Sequence, residues 1–400
     1  MKILFVTYSY WPPGFGGELL NSIERFASLS ERGHEVTVLT SGRPGFAMHE
    51  LHDCISIFRS PIIRTSSRIG KLLRRIAYVF WVLPKLFTCE VDAVHFGTMP
   101  GINRFTSAVT GLFFAIILRL RKTKTVFVQS LVFSEKDTLG ISSFSGRFHK
   151  LFLSFTGVLV SVSPRIQTDT EKYFKNATAL YIPYGVRDDI FIPLSPNELT
   201  RCRLELGFNS ADVIFVFLGS IGRRKGFDIL AEAFSELCTE YPDWRLLVIG
   251  PRSRQESQNI IDEEVKEVTA KICGNPNVML FGRIDDRMRL SKLIGSSDIF
   301  AFPSRREGMG IAPMEAMSAG VPPIIARIHG VTDQASIHNQ TGLYVSVDDV
   351  NGLKEAMIRL GADARLRREF GSAARHVIEQ QFSWQKYIDK WEELYGGDRQ

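Results

Sequence analysis

The chain has 400 residues, of which 44% are hydrophobic and 23% charged, and its formal net charge is +6 at pH 7. This length exceeds what one hydrophobic core usually serves, and the composition excludes long disorder, so two globular domains are expected. The five cysteines are odd in number and widely spaced. They exclude a disulfide framework and a paired zinc site, and they favour a reducing compartment.

The first residues, Met1–Val6, predict a buried strand. They carry one positive charge, and their apolar run is too short for the core of a signal peptide. The longest nearly uncharged stretches, Ile76–Leu83 and Thr106–Leu118, fall short of the roughly 18 residues typical of a spanning helix. We therefore expect no transmembrane segment and a cytoplasmic location.

A glycine-rich loop, Tyr10–Gly17, follows the first strand. Gly16 and Gly17 permit close backbone approach, and the helix that begins there offers free N–H groups to an anion. The loop lacks the G-x-G-x-x-G pattern, and the second strand ends in Thr40-Ser41 without the acid that binds a ribose in NAD enzymes. An ordinary tight turn explains two glycines equally well.

A basic segment, residues 59–86, contains no acidic residue. If it is helical, its cations share one face and its apolar residues lie on an adjacent face. The cations are Arg64, Arg68, Lys71 and Arg75, and the apolar residues are Leu72, Ile76, Val79 and Leu83. Such a helix is typical of contact with an anionic membrane surface; the alternative is a surface helix packed on its own domain. No nucleic-acid-binding motif is present, so that partner is not expected.

Short apolar strands alternate with helical patterns twice along the chain, which predicts two doubly wound α/β domains with parallel sheets. A break at Pro183–Pro196 divides them. We predict an N-terminal domain over 1–185, a C-terminal domain over 186–382 and a final helix over 383–400. The predicted strands are Ile3–Thr7, Val36–Thr40, Ile55–Phe58, Ala93–His95, Val126–Val128, Val158–Val160, Ala179–Ile182, Val213–Leu218, Leu246–Ile249, Val278–Phe281, Ile299–Pro303, Pro323–Ile325 and Leu343–Val345.

Loops at the carboxyl ends of parallel strands are the places where such sheets bind ligands. In Gly219–Gly226, Lys225 lies beside a glycine at a helix start, where a diphosphate would meet both a cation and the helix dipole. A solvated basic turn is the alternative. The loop Gly282–Asp285, which includes Arg283 and Ile284, could hold a base through its backbone, and an ordinary exposed loop explains it equally well.

The most informative loop is Pro303–Gly320. Glu307 ends a junction between strand and loop, and the amides of Gly308, Met309 and Gly310 can point at a ligand. A helix is predicted from about Ile311, and it carries Glu315. Glu307 would bind a sugar hydroxyl and Glu315 a ribose diol, because a carboxylate can accept strong hydrogen bonds from two hydroxyl groups. The alternative is an acidic first turn that stabilises its own helix.

In this order, these loops resemble those of the GT-B retaining glycosyltransferases of family 4. The resemblance covers nearly the whole chain. It includes the two glutamates, which match the family's E-x7-E motif, as well as the segments Pro12–Gly17, Arg32–Thr40, Ile182–Val186, Gly219–Asp228, Phe281–Arg283, Gly320–Pro322, Thr341–Leu343 and Phe382–Trp384.

The resemblance implies two Rossmann-like domains facing a cleft, and transfer from a UDP- or GDP-sugar with retention of configuration and without a metal ion or cofactor. The acceptor, a saccharide or a lipid-linked saccharide, would bind the N-terminal domain; the basic segment 59–86 favours the lipid-linked form, and a soluble small acceptor is the alternative. Lys225 would neutralise the departing diphosphate. Glu307 would hold the donor sugar and Glu315 the ribose, with Gly16 and Gly17 against the diphosphate and acceptor.

Three positions depart from the family pattern. Ser220 replaces the usual arginine of the phosphate loop, and Arg223 or Arg224 is the candidate to supply the missing charge. Gln129 replaces a histidine that lies near the donor sugar. The linker sequence Tyr184-Gly-Val-Arg187 replaces Asn-Gly-Val-Asp. His95 follows a strand nearby, and a structural role is expected for it.

Two other functions are considered. A catalytically silent protein that binds a nucleotide or a partner is compatible with the departures at Ser220 and Gln129. A nicotinamide-dependent oxidoreductase would share the fold class, but the dinucleotide fingerprint and its acidic residue are missing.

Overall fold

The computed structural model describes residues 1–10, 17–62, 67–97, 104–129, 151–152, 155, 157–173, 178–251, 267, 269–270, 272 and 274–397. The chain forms two compact units. Met1–Pro183 and Tyr387–Gln400 make up the first, and Tyr184–Lys386 makes up the second. The roles assigned to the two domains from the sequence remain predictions.

The first unit is built on an eight-stranded sheet with the order β3-β4-β2-β1-β5-β6-β7-β8. All neighbouring strands are parallel except β3 and β4. The strands are β1 Lys2–Val6, β2 Glu35–Thr40, β3 His49–His52, β4 Ile55–Arg59, β5 Ala93–Phe96, β6 Lys124–Gln129, β7 Val158–Ser161 and β8 Thr178–Tyr181. The helices are α1 Gly17–Glu31, α2 Arg68–Thr88, α3 Arg104–Leu120 and α4 Pro164–Tyr173.

The second unit is built on a six-stranded parallel sheet with the order β11-β10-β9-β12-β13-β14. The strands are β9 Val213–Leu218, β10 Trp244–Ile249, β11 Val278–Phe281, β12 Ile299–Phe302, β13 Pro323–Ala326 and β14 Leu343–Val345. Its helices are α5 Pro196–Glu205, α6 Phe227–Glu240, α7 Arg287–Gly295, α8 Ile311–Ser318, α9 Val350–Ala362 and α10 Ala364–Val377. A one-turn 3-10 helix covers Arg223–Lys225, and a π turn covers Ile378–Phe382.

The predicted fold class is confirmed, because both sheets are doubly wound and parallel apart from the edge strand β3. Every predicted strand is present within two residues of its expected limits, since buried strands of parallel sheets are continuous apolar runs that are visible in a sequence. The strand β3 was not predicted. It carries His49-Glu-Leu-His52, lies at the sheet edge and is mostly exposed, so it has no apolar alternation to reveal it.

The predicted final helix is α11 Trp384–Gly396, and its apolar side, formed by Trp384, Tyr387, Ile388 and Trp391, is buried. Its part from Tyr387 onward is anchored in the first unit by the buried guanidinium of Arg25. Arg25 donates to the hydroxyl of Tyr387 at 2.9 Å and stacks 3.9 Å from the ring of Trp391.

His95 is part of this anchor. It is 1% exposed, its Nδ1 lies 2.8 Å from the Tyr395 hydroxyl, and its Nε2 lies 3.4 Å from Arg25. Burial, and then the nearby guanidinium, hold the pKa of His95 well below its ordinary value. The side chain is therefore a neutral member of the core, as expected from the sequence.

The basic segment forms α2, but its apolar residues are arranged differently from the prediction. The face packed on the domain is made of Tyr78, Val82 and Leu86, which are fully buried, whereas Val79 and Leu83 are half-buried and Ile76 is exposed. Arg75 is half-buried, and Arg64 and the side chains of Arg68, Lys71 and Leu72 lie outside the described residues. Val79 and Leu83 of the predicted stripe pack against the core with this face, whereas Ile76 is exposed, because tertiary contacts, and not periodicity alone, select the buried face.

A second set of apolar side chains on α2 points to solvent. Leu73, Ile76, Phe80 and Phe87 recur every three, four or seven residues and are 41–69% exposed. The neighbouring helix α3 packs against α2 and exposes Val109, Phe113 and Leu120. Among the helices described by the structure, none combines the length and the apolar character needed to cross a bilayer.

Candidate functional site

The strand order of the second unit indicates where its candidate site lies. From β9 the chain winds to β10 and β11 on one side, and the strands from β12 to β14 lie on the other. Ligands of such sheets bind where the winding changes direction, at the carboxyl ends of the two central strands. Here those strands are β9 and β12, so the loops 219–226 and 303–310 emerge side by side.

Gly226 allows these two loops to touch. Its φ is +67°, and a Cβ atom built on it would lie 1.8 Å from the backbone oxygen of Pro303. Only glycine combines this left-handed backbone with so close an approach. The contact joins the cationic end of the first loop to the start of the second.

A buried ion pair is the centre of the site. The Nζ of Lys225 lies 2.7 Å from Oε1 of Glu307, which also accepts from the Ser304 hydroxyl at 2.7 Å and from Arg224 at 3.3 Å. Glu307 is 6% exposed. Burial lowers the pKa of Lys225 and Arg224 lowers it further, although Glu307 acts in the opposite direction. The loops thus hold a compact lysine charge next to a carboxylate at the switch point.

Arg305 links the two loops next to this pair, and sequence reasoning missed it. Its guanidinium binds both carboxylate oxygens of Asp228 at 2.7 and 2.8 Å and reaches Asp348 at 2.5 Å. Its backbone amide donates to the Arg224 carbonyl at 2.9 Å. Burial alone would raise the pKa of Asp228, but the hydrogen bonds from Arg305 bring it below its ordinary value. The position of Arg305, two residues before Glu307, was the available signal.

Glu315 lies on α8, about one turn from its start, and is 4% exposed. One of its oxygens, Oε1, accepts from Arg287 at 2.7 Å. Arg287 is the first residue of α7 and was also missed by sequence reasoning. Because its partner is 28 residues further along the chain, no local pattern links the two.

The segment before α8 has the backbone expected of a ligand loop. Gly310 has a φ of +88° and caps the helix. Met309 is 3% exposed, and its sulfur lies 3.2 Å from the backbone nitrogen of Tyr184. Within the described part of the chain, the amides of Gly308, Met309 and Gly310 donate to no protein acceptor. These amides and the N-terminal end of α8 suit an anionic or hydroxylated ligand.

The remaining predicted residues of this unit lie around the pair. Arg223 is mostly exposed and lies 4.0 Å from Asp228, so of the two candidate arginines only Arg224 contacts Glu307. Arg283 donates to Asp285 at 2.6 Å, and Ile284 beside it is half-buried. Both follow β11, two strands from β9 at the same edge of the sheet.

The predicted residues of the first unit are described only in part. Gly17 begins α1 and is exposed, whereas Gly16 lies outside the described residues. Gln129 ends β6 with its backbone in register with Ser161, and its side chain lies outside the described part. Gln129 thus lies at the carboxyl end of its strand, the edge where such a sheet binds ligands, and Gly17 begins the helix that follows β1.

Solved structures share this architecture over nearly the whole chain. Sucrose-phosphate synthase from Thermosynechococcus elongatus has a TM-score of 0.79 at 20% identity and covers 98% of both chains. HepE from Anabaena, solved in complex with UDP and glucose, has a TM-score of 0.76 at 19% identity over 100% of both chains. The fold is therefore that of the GT-B glycosyltransferases.

Sequence comparison adds the family. Residues 201–377 match the family described as glycosyl transferases group 1. N-acetyl-alpha-D-glucosaminyl L-malate synthase of Bacillus anthracis is 22% identical over 400 residues, 96% of this chain and 94% of that protein. The GDP-mannose-dependent monoacylated alpha-(1-6)-phosphatidylinositol monomannoside mannosyltransferase of Corynebacterium glutamicum is 30% identical over 241 residues, 57% of this chain and 60% of that protein. The matched segment, residues 201–377, thus resembles the group 1 glycosyltransferases and contains Lys225, Glu307 and Glu315.

Proposed function

We propose that this glycosyltransferase moves a hexosyl group from a UDP- or GDP-linked donor to a saccharide or lipid-linked saccharide, in polysaccharide or glycolipid biosynthesis. The transfer retains the anomeric configuration and uses no metal ion or cofactor. The observation that carries the proposal is the buried pair of Lys225 and Glu307 at the switch point of the second sheet.

The chemistry follows from the charges of the site. The bond between the anomeric carbon and the diphosphate oxygen breaks, a bond to an acceptor hydroxyl oxygen forms, and the acceptor proton is released. Negative charge grows on the diphosphate as it leaves. A desolvated ammonium held in place, such as that of Lys225, stabilises this charge more than a solvated one would, and Arg224 adds a second cation.

The other residues take binding roles. In this proposal Glu307 accepts hydroxyl hydrogen bonds from the donor sugar, and the free amides of residues 308–310 face the donor. Glu315 binds the ribose, while Arg283 and Ile284 border the base. Gly16, Gly17 and Gln129 are proposed to contribute from the acceptor-binding unit.

The exposed apolar side chains of α2 and α3 favour a lipid-linked acceptor. Neither helix contains an Asp or Glu residue, and among their described side chains four large apolar residues on α2 and three on α3 are exposed, including Phe80 and Phe113. Exposed apolar surface beside cations suits the interface of an anionic membrane. A relative at 30% identity is named for transfer to a phosphatidylinositol mannoside. We therefore propose peripheral attachment at the cytoplasmic membrane face.

Thermal unfolding tests the donor site directly. The protein is heated with UDP, GDP, ADP or CMP and with their common sugar conjugates, in parallel with Glu315→Ala. A ligand that binds only the folded state adds about 2.7 kcal/mol at a hundredfold excess over its Kd. We expect one nucleotide to raise the melting temperature and the variant to lose most of that rise. The absence of any rise would favour the alternative of a catalytically silent protein, with Ser220 the first departure to reverse.

A product assay tests the mechanism. Once the donor is known, transfer to a saccharide acceptor is followed by NMR in the presence of a chelator. Retention predicts a product with the same anomeric configuration as the donor, and the rate should be unchanged by the chelator. Inversion, or a rate restored only by a divalent ion, would contradict these two parts of the proposal.

A further inference from the structure

Arg287 and Glu315 form an ion pair that the family motif does not include. The guanidinium NH2 of Arg287 lies 2.7 Å from Oε1 of Glu315, whose side chain is 5% exposed. The described residues give the other oxygen, Oε2, no hydrogen-bond partner. Glu315 is thus a buried carboxylate with one oxygen held and one available.

The guanidinium is itself held in place. Its central carbon lies 4.8 Å from the ring centroid of Phe191, which is fully buried. The backbone oxygen of Phe191 accepts from the Ser318 hydroxyl at 2.7 Å and from Arg375 at 2.8 Å. Ser318 is on α8, one turn from Glu315, so the ring that supports the arginine is fastened to the helix that carries the glutamate.

A buried carboxylate without a cation would destabilise the folded state, and its side chain would be free to change rotamer. A planar guanidinium stacked on an aromatic ring removes both difficulties, because it supplies the charge and fixes the direction of the hydrogen bond. The bond to Oε1 therefore sets the orientation of Oε2.

We propose that Arg287 is a positioning residue for nucleotide recognition, which aims Oε2 of Glu315 at the ribose hydroxyls of the donor. The proposal rests on the proposed function, in which Glu315 binds the ribose. Arg287 touches no reacting atom. Its effect is to make the site prefer a ribose over a sugar that lacks the two hydroxyl groups.

The experiment compares the binding of UDP, GDP and ADP with their 2′,3′-dideoxy forms by calorimetry. The proteins are the unmodified chain, Glu315→Gln, Arg287→Gln, Arg287→Lys and the double Gln variant. Arg289→Ala is the matched control, because Arg289 is an exposed arginine two residues further along α7. Donor KM and kcat are measured where turnover is found, and melting temperatures are recorded without nucleotide.

The unmodified chain should bind the preferred ribonucleotide roughly ten- to a hundredfold more tightly than its dideoxy form, as expected for hydrogen bonds to a charged group. Arg287→Gln should bring this ratio near one and raise the donor KM more than it lowers kcat. Arg287→Lys should recover only part of the ratio, and the double variant should match Glu315→Gln. The Arg289→Ala control should keep the full ratio.

The outcomes separate the two proposals. If the unmodified chain binds no nucleotide, or binds both forms equally, the assignment of Glu315 fails and the role of Arg287 fails with it. If the unmodified chain and Glu315→Gln behave as expected but Arg287→Gln keeps the full ratio, the proposed function stands and the positioning role is overturned. A lower melting temperature with an unchanged ratio would identify Arg287 as a purely structural residue.

Discussion

The Nζ of Lys225 lies 2.7 Å from Oε1 of Glu307, although 82 residues separate the two in the chain. The contact exists because β9 and β12 are neighbours in the sheet and send their loops from the same edge. It brings together the residue proposed to meet the diphosphate and the residue proposed to hold the sugar.

Removing the charge of Lys225 should abolish most of the transfer activity. For Lys225→Met we expect kcat to fall roughly a hundred- to a thousandfold, as when one preorganised electrostatic contact is lost. The melting temperature should also fall, because Glu307 loses a buried partner worth about 1–3 kcal/mol. Initial rates and thermal unfolding measure both effects. Arg201→Met, at an exposed site on α5, is the control, and equal rates for the two variants would contradict the role of Lys225.

Gly226 should tolerate no side chain. Its positive φ and the 1.8 Å approach of a Cβ atom to the Pro303 oxygen predict that Gly226→Ala costs about 2 kcal/mol or more. For a unit of this size that is a fall of roughly 4–8 °C in melting temperature. Gly207 also has a positive φ, +75°, but a Cβ there meets nothing within 4 Å, so Gly207→Ala isolates the backbone strain. Equal losses in the two variants would show that the contact with Pro303 is unimportant.

His95 should make the first unit sensitive to acid. Its pKa is depressed in the folded state, so below its ordinary value of about 6.5 the unfolded chain binds more protons than the folded chain. The stability that it contributes is present above that pH and is lost as the pH falls. At one pH unit below 6.5 the loss is at most about 1.4 kcal/mol.

The measurement is the difference in melting temperature between pH 7.5 and pH 5.5. In His95→Asn this difference should be smaller than in the unmodified chain, whatever the variant's overall stability. The control is His52→Gln, on the exposed strand β3. An unchanged difference in His95→Asn would mean that other groups determine the acid sensitivity.

The exposed phenylalanines should govern attachment to membranes. Phe80 is 69% and Phe113 50% exposed, and burial of such a side chain in lipid is worth about 1.5–3 kcal/mol. We expect Phe80→Ser with Phe113→Ser to weaken co-sedimentation with anionic vesicles at least tenfold. Leu51→Ser removes an equally exposed apolar side chain on β3 and is the control. Binding that is unaffected by the double change, or that is equal for neutral vesicles, would exclude this surface.

The sequence predicted the parts of the site that depend on local signals. Lys225 and Glu307 stand in glycine-rich loops after apolar strands, and Glu315 lies on the helix that follows the second loop. A chain that alternates strand and helix brings such loops to one edge of a sheet. The two arginines that support them were missed. Arg305 binds Asp228 across 77 residues and Arg287 binds Glu315 across 28, so these pairs exist only once the strands are in order.

The buried face of α2 was predicted only in part, for a related reason. Periodicity identifies an apolar stripe, but this helix carries apolar residues on more than one side. The side that meets the core is the one with Tyr78 and Val82, where Val79 and Leu83 of the predicted stripe also pack, and periodicity alone does not indicate that side. Ile76 of the predicted stripe belongs instead to the exposed set.

The last turns of α11 complete the core around Arg25 and His95, which affects how the protein is made. Synthesis runs from the N-terminus, so the continuous second unit, Tyr184–Lys386, leaves the ribosome whole while the first still lacks Tyr387, Trp391 and Tyr395. Synthesis of the first unit therefore begins before that of the second unit but is completed after it. Until Tyr387, Trp391 and Tyr395 have been synthesised, Arg25 lacks its aromatic partners, and a nascent chain stalled before Tyr387 would leave that side of the first unit open.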